Sequence, residues 1–247
     1  MLMWLICLLI LFTLDPLRHF YYITFHMTLE VKNLQCIRGD RELFVNLSFR
    51  LEPSQLLMLE GANGSGKTTL LRTLCGLYLQ EQGEILWNDV SIRKLDDDYR
   101  RELLYLGHLN AIKADLTVLE NLQINARLSG YKATNEELMQ ALDTIGLFAF
   151  EDFPTRQLSQ GQKRRVALAR LLVNKAKLWI LDEPFVALDV AAVELLQKII
   201  AKHVQDGGMV ILTTHQEVPL TSGKIQRLRL GEFAPLQQHH NVDTENV

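Results

Sequence analysis

The octapeptide Gly61-Ala62-Asn63-Gly64-Ser65-Gly66-Lys67-Thr68 lies between an apolar run, Leu56-Leu57-Met58-Leu59, and a run with helical spacing, Thr69-Leu70-Leu71-Arg72-Thr73-Leu74. Glycine, four residues, then Gly-Lys-Thr is the spacing of a phosphate-binding loop, and a strand before it with a helix after it is the context that loop requires. Glycines let the backbone turn tightly and aim several N–H groups at one anion. The helix that follows adds its N-terminus to the same anion. Lys67 is placed to reach the β- and γ-phosphates and Thr68 to put its hydroxyl on Mg²⁺. A glycine-rich turn that only caps a helix would not need Lys-Thr at that spacing. Gly61, Ala62, Asn63, Gly64, Ser65, Gly66, Lys67, Thr68 and the adjoining Thr69 therefore form a candidate nucleotide-binding set.

Such a loop belongs in an α/β fold, and the rest of the chain reads that way. Residues 29–36 and 43–51 alternate with period two and are joined through Gly39-Asp40, which suits an antiparallel N-terminal β part. Pro53-Ser54 breaks the chain before the strand that feeds the loop, residues 83–87 read as a strand with Asn88-Asp89 as its turn, residues 96–103 as helix-compatible, and residues 103–106 as a short buried strand. Residues 178–181, Leu-Trp-Ile-Leu, are continuously apolar, as expected of a central parallel strand buried on both faces. Helix at 190–204, strand at 209–213 and a terminal strand at 224–230 continue the alternation, so a mostly parallel sheet with helices around it is expected.

That buried run ends in Asp182-Glu183-Pro184. Two acids at the end of an apolar strand are costly without a metal or a charged partner. Asp182 is a candidate Mg²⁺ ligand, direct or through water, and Glu183 a candidate for polarising an attacking water. His215 follows the strand at 209–213, so it should sit at the same sheet end, where ligands collect. Its expected role is to hydrogen-bond the γ-phosphate and position the water. A lone histidine is more often structural; its place after a strand reverses that reading. Leu158-Ser159-Gln160-Gly161-Gln162 precedes a helix at 161–173 and makes a second anion site at a helix start. A simple kinase or small GTPase needs only the first. Lys163-Arg164-Arg165 in the first turn opposes the helix dipole, which is unfavourable unless something anionic lies nearby; a solvated face is the plain reading for Lys163 alone.

Residues 116–153 change in texture. Thr117 with Glu120 forms a capping box, Leu119, Leu122, Ile124 and Leu128 follow at helical spacing, Gly130 can end that helix, and residues 136–145 make a second one stopped near Gly146. This reads as an inserted helical lobe; one continuous α/β domain is the blander alternative. Residues 1–14 are almost wholly apolar but shorter than the ~20 residues that a spanning helix needs. With Met27 opening a well-formed strand, residues 1–26 read as a translated upstream stretch, with a short membrane-surface anchor as the alternative. The expected division is residues 27–232 as the folded domain, a lobe at about 95–160, and residues 233–247 as a polar, disordered tail in which His239-His240 are solvated. No spanning segment follows residue 26, so a membrane role requires a partner. A net charge of −3 gives no reason to expect nucleic acid as the main partner. Cys7, Cys36 and Cys75 lack CxxC spacing, which argues against a disulfide frame or a zinc site.

The ordered set of phosphate loop, LSQGQ, LWILDEP, ALD and TTH resembles the ATP-binding subunits of ABC transporters, from Leu29 to about Gly231. The resemblance implies a P-loop ABC ATPase cassette in which two chains sandwich two ATP molecules head to tail. It implies that Ser159 and Gly161 contact the γ-phosphate bound by the opposite subunit, with Gln162 also in the ATP-binding set, and that Ala187-Leu188-Asp189 communicate across the dimer. The helical lobe would touch integral membrane subunits. Four positions depart from the usual pattern: Gln160 within the signature, His108 in Tyr105-Leu106-Gly107-His108 where a glutamine is usual, Phe185-Val186 before Ala187, and Arg38 near the place of an adenine-stacking aromatic. His108 can still meet water or Mg²⁺, and Arg38 can stack on a base as a cation. YLGH, FVALD, the short ending after TTHQ and Arg227-Leu228-Arg229-Leu230 are most similar to the haem exporter ATPase subunits of bacterial c-type cytochrome biogenesis. That resemblance implies Mg²⁺ with ATP, haem export or release of a haem-loaded periplasmic chaperone, and a peripheral position on the cytoplasmic face of the inner membrane. No residue of the chain has the look of a haem ligand. Another ABC exporter, a soluble ABC-class ATPase acting on ribosomes or DNA, and a non-enzymatic nucleotide-gated adaptor are the alternatives.

Overall fold

β1 (Leu29–Arg38) and β2 (Arg41–Leu51) pair antiparallel, and β1 buries Leu29, Val31, Leu34 and Cys36, its alternation stepping by one extra residue at a bulge where Asn33 has φ 48°. β4 (Gln82–Trp87) and β5 (Val90–Ser91) complete this sheet in the order β2-β1-β4-β5. The turn between β4 and β5 is Asn88-Asp89 with φ of 52° and 63°, the left-handed pair that suits a two-residue hairpin. Gly83 is obligatory where β4 crosses β1, because a Cβ there would lie 2.4 Å from the Lys32 carbonyl oxygen. These features come from a computed structural model, which describes residues 27–215, 219 and 223–235. The expectations for residues 1–26, for His239-His240 and for the tail beyond residue 235 lie outside the described residues.

The second sheet is wholly parallel. It holds β3 (Gln55–Glu60), β6 (Leu103–Leu106), β7 (Leu178–Asp182), β8 (Met209–Thr213) and β9 (Lys224–Arg229) in the order β6-β7-β8-β3-β9. Every residue of β7 and β8 is buried, which is why both read as unbroken apolar runs. Successive side chains go to opposite faces. Leu57, Leu59, Leu178, Ile180 and Ile211 join the core shared with α1 (Lys67–Leu74) and the antiparallel sheet. Leu56, Met58, Trp179, Leu181 and Leu212 join the other core, under α6 (Gln160–Val173) and α7 (Val190–Gln205).

Residues 96–103 do not form one helix. α2 (Ile92–Leu95) and α3 (Asp97–Arg101) are separated by Asp96, whose φ of 42° cannot continue a right-handed helix, and β6 already begins at Leu103. The break lets Tyr99 turn inward, where its ring meets Trp87 edge-on at 5.7 Å and its hydroxyl donates to the Leu74 carbonyl at 2.8 Å.

α4 (Val118–Leu128) and α5 (Asn135–Thr144) pack with α6 around a core of their own, including Leu122, Leu138, Leu142, Val166 and Ala169. Thr117 and Glu120 cap α4 reciprocally, and Thr134 with Glu137 does the same for α5. α6 therefore serves two cores: Val166, Ala169 and Val173 face the helices, while Ala167, Leu168 and Leu171 face the sheet. Among the described residues, no helix is long and apolar enough to cross a membrane.

Candidate active site

The loop between β3 and α1 is shaped by glycine in two places. Gly66 has φ 105° and caps α1 without any side-chain hydrogen bond, and a Cβ on it would stand 3.2 Å from Leu43 Cβ. A Cβ on Gly61 would stand 2.6 Å from Ser65 Oγ, a buried hydroxyl with no partner. The helix start thus presents N–H groups to whatever the loop encloses, while Gly61, Ala62 and Ser65 stand behind the lining of the cavity it opens into. Lys67 Nζ donates back to the Gly61 and Ala62 carbonyls at 2.7 and 3.2 Å.

The loop opens into a cavity of about 260 Å³. Its wall brings together Asn63, Gly64, Gly66, Lys67, Thr68 and Thr69 with His108, Asp182, Glu183 and His215, and adds Arg38 and Leu43. These come from five separate stretches of chain, and the parallel sheet is what gathers them: β6 leads to His108, β7 to Asp182, and β8 to His215.

A chain of hydrogen bonds runs along the cavity floor. Thr68 Oγ1 donates to Asp182 Oδ2 at 2.9 Å, and Thr213 Oγ1 donates to Asp182 Oδ1 at 2.8 Å. The same Thr213 oxygen accepts from the Glu183 N–H at 2.9 Å. Glu183 has φ 52°, unusual for a residue with a side chain, and its Oε1 lies 3.2 Å from His215 Nε2. Arg164, only 4% exposed, donates from Nη2 to the Glu183 carbonyl at 2.8 Å and from Nη1 to Asn110 Oδ1 at 3.1 Å. Burial pulls the Arg164 pKa below the ordinary arginine value, and the nearby Asp182 charge opposes that.

Ser159, Gly161 and Gln162 do not line this cavity. They stand at the start of α6, where exposed Ser159 accepts from the Gln162 N–H at 3.2 Å and Gln162 Oε1 accepts from the Ser159 N–H at 2.9 Å. Arg164 and Arg165 in the first turn of α6 both have partners, and that of Arg165 is anionic. Arg164 is buried against the Glu183 peptide, and Arg165 Nη2 lies 2.6 Å from Asp189 Oδ2, because the end of β7 and the start of α7 close over that turn. Asp189 also caps α7 through the Ala192 N–H; that bond, then Arg165, holds its pKa below the usual carboxylate range. Phe185 is buried and Val186 exposed, with Ala187 left-handed at φ 62°.

Thr213 and Arg164 are the site residues that sequence reasoning misses. Thr213 is marked only as the polar end of an otherwise apolar strand facing the acids of its neighbour. Arg164 is marked only as one of three basic residues set against the helix dipole, with no sign of its partner.

The donors around Thr68 and Asp182 are all oxygen, and among the described residues no cluster of three or more His, Cys, Asp or Glu could hold a metal alone. That set suits a hard cation shared with phosphate oxygens and water rather than one caged by protein.

Comparison with known proteins places this geometry. The ABC transporter family pattern matches residues 44–186. The chain is 55% identical over 203 residues to the cytochrome c biogenesis ATP-binding export protein CcmA of Dechloromonas aromatica, covering 82% of this chain and all of that one. It is 46% identical over 204 residues to the CcmA protein of Vibrio parahaemolyticus, covering 83% of this chain and all of that one. Among solved structures, a putative ABC transporter ATP-binding protein from Pyrococcus furiosus superposes with a TM-score of 0.73 at 28% identity, over 84% of this chain and 100% of that one. A dimeric ATP-binding cassette in a post-hydrolysis state with ADP and Pi superposes with a TM-score of 0.70 at 25% identity, over 82% of this chain and 95% of that one. The chain belongs to the ABC transporter ATP-binding family and, within it, to the cytochrome c biogenesis ATP-binding export proteins.

Proposed function

We propose that this chain is the ATP-hydrolysing subunit of an ABC-type membrane complex of c-type cytochrome biogenesis, where hydrolysis drives haem export or release of a haem-loaded periplasmic chaperone. The observation that carries the reading is the hydrogen-bond chain from Thr68 through Asp182 and Thr213 to the Glu183 peptide, with the Glu183 carboxylate beside His215 at the cavity wall. The phosphate loop, residues 61–68 with Thr69, binds the triphosphate. Lys67 exchanges its loop carbonyls for phosphate oxygens. Glu183 polarises the attacking water, and His215 orients it and hydrogen-bonds the γ-phosphate. Thr68 and Asp182 would hold Mg²⁺, with His108 at its side; bound there, the ion supplies positive charge to the triphosphate oxygens.

The Ser159-Gln160-Gly161-Gln162 turn, exposed at Ser159 and Gln160 and standing outside the cavity, supports a site completed by a second copy, in which Ser159 and Gly161 close over the neighbour's γ-phosphate with Gln162 beside them. A dimeric cassette with ADP and Pi among the structural neighbours supports the same arrangement. Integral membrane subunits carry the transport path, and the chain sits peripherally on the cytoplasmic face of the inner membrane.

The test is gene replacement in a bacterium that makes c-type cytochromes. Glu183→Gln should bind ATP, collect as an ATP-dependent dimer and leave holo-cytochrome c absent on haem staining. Normal cytochrome maturation with Glu183→Gln would refute the role, and recovery of ribosomes or DNA in place of membrane subunits from solubilised membranes would refute transport.

A further inference from the structure

Arg164 is a buried guanidinium held by two neutral acceptors, a carbonyl and an amide oxygen, with its Nε–H buried and idle. A buried cation in such company stabilises a fold poorly, because its desolvation is not answered by a carboxylate hydrogen bond. Of its two partners, only Glu183 lines the cavity; Asn110 stands behind the lining, in the stretch that follows β6. Glu183 closes one side, and Asn110 lies two residues past His108, which lines the other.

The Glu183 peptide is gripped at both ends. Its N–H is bonded to Thr213 and its carbonyl to Arg164, so a left-handed backbone that a side chain disfavours is fixed from two directions. The grip on the carbonyl comes from α6, and α6 begins at the Ser159 cap five residues earlier. Those five residues span about 7–8 Å of rigid helix.

We propose that Arg164 is a positioning residue for hydrolysis: it ties the Glu183 peptide and Asn110 to α6, so the stance of that helix sets where the Glu183 carboxylate and His108 stand over bound phosphate. This rests on the reading of Glu183 as the water-polarising group in a two-chain site. Because Ser159 sits at the other end of the same helix segment, engagement of the neighbour's nucleotide and hydrolysis in the chain's own cavity are linked through one side chain.

The experiment compares steady-state ATPase, ATP affinity and melting temperature of the full chain carrying Arg164→Gln, Arg164→Lys or Asn110→Ala, with Glu183→Gln as control. Arg164→Gln should lower kcat about tenfold or more while KM and ATP affinity stay within about threefold, and it should reduce the Hill coefficient for ATP towards 1. Arg164→Lys should regain part of the rate, since an ammonium can hold the Glu183 carbonyl but not both partners. Asn110→Ala should lower kcat less, again at constant KM. A kcat of wild-type size with an unchanged Hill coefficient in Arg164→Gln overturns the proposal. If Arg164→Gln does not fold by circular dichroism, Asn110→Ala decides, and an undiminished kcat there overturns it. A Glu183→Gln protein with normal turnover brings down the underlying reading as well, whereas inactive Glu183→Gln beside fully active Arg164→Gln removes Arg164 alone.

Discussion

Thr68 and Asp182 lie 114 residues apart in sequence and 2.9 Å apart in the fold, the threonine hydroxyl donating to Asp182 Oδ2. Asp182 is 3% exposed, and its other oxygen accepts from Thr213. A carboxylate buried to that degree is tolerable only when its oxygens are bonded, and both are. The phosphate loop and the acidic strand end are thereby fixed relative to each other by the protein's own bonds, which is the pre-organisation that phosphoryl transfer depends on.

Thr213→Val should damage both fold and catalysis. The change keeps the shape of a side chain that is 0% exposed but removes the acceptor for the Glu183 N–H and the donor to Asp182. Denaturant titration should show a loss of about 1–3 kcal/mol, the cost of leaving buried polar groups unpaired. ATP turnover should fall more than ATP affinity, since the phosphate loop itself is untouched.

Lys67→Ala should separate binding from folding. Among the described residues, Lys67 Nζ is engaged by the Gly61 and Ala62 carbonyls of its own loop, so the melting temperature should stay nearly unchanged. ATP affinity measured by calorimetry should drop about 10–100-fold, the worth of a charge-assisted hydrogen bond to phosphate. Undiminished affinity would contradict the placement of Lys67 at the phosphates.

Stability should fall on mild acidification because of His203. Its ring stacks on Trp179 with centroids 3.6 Å apart, and burial pushes its pKa from 6.5 down to about 4. Between those values the unfolded chain binds the proton and the folded one does not, so the unfolded state gains as pH drops. The His203 contribution is therefore complete above pH 6.5, shrinks as pH falls towards 4, and amounts to at most about 3 kcal/mol. Urea midpoints between pH 4 and 7.5 should reveal this slope, and His203→Gln should flatten it; an equal slope in the variant would contradict the assignment.

What is legible in the sequence is what short-range physics dictates. The phosphate loop has its glycines, lysine and threonine in one octapeptide. The capping box of Thr117 and Glu120 spans one helical turn, and residues 178–181 announce a strand buried on both faces. Thr134 and Glu137 carry the same capping signal for α5. The Asp96 break is hidden because a charged, helix-compatible stretch gives no warning that Tyr99 must reach Trp87 and Leu74. Arg164 and Arg165 are hidden for a different reason: their partners, the Glu183 peptide and Asp189, come near only when α6 packs over β7 and α7. The exposed signature turn at Ser159 can be located but not joined to a cavity, since in the proposed dimer the phosphate it meets is held by a second copy.

That sharing is tested most directly by mixing two variants that are each inactive alone. Lys67→Ala spoils the phosphate half of the site, and Ser159→Arg spoils the signature half. A mixed dimer then keeps one site with both halves intact. With random pairing, half the dimers are mixed and each has one working site of two, so the mixture should recover about a quarter of wild-type ATP turnover. A mixture no more active than its separate components, at concentrations where the wild-type chain dimerises with ATP, would contradict a site built from two chains.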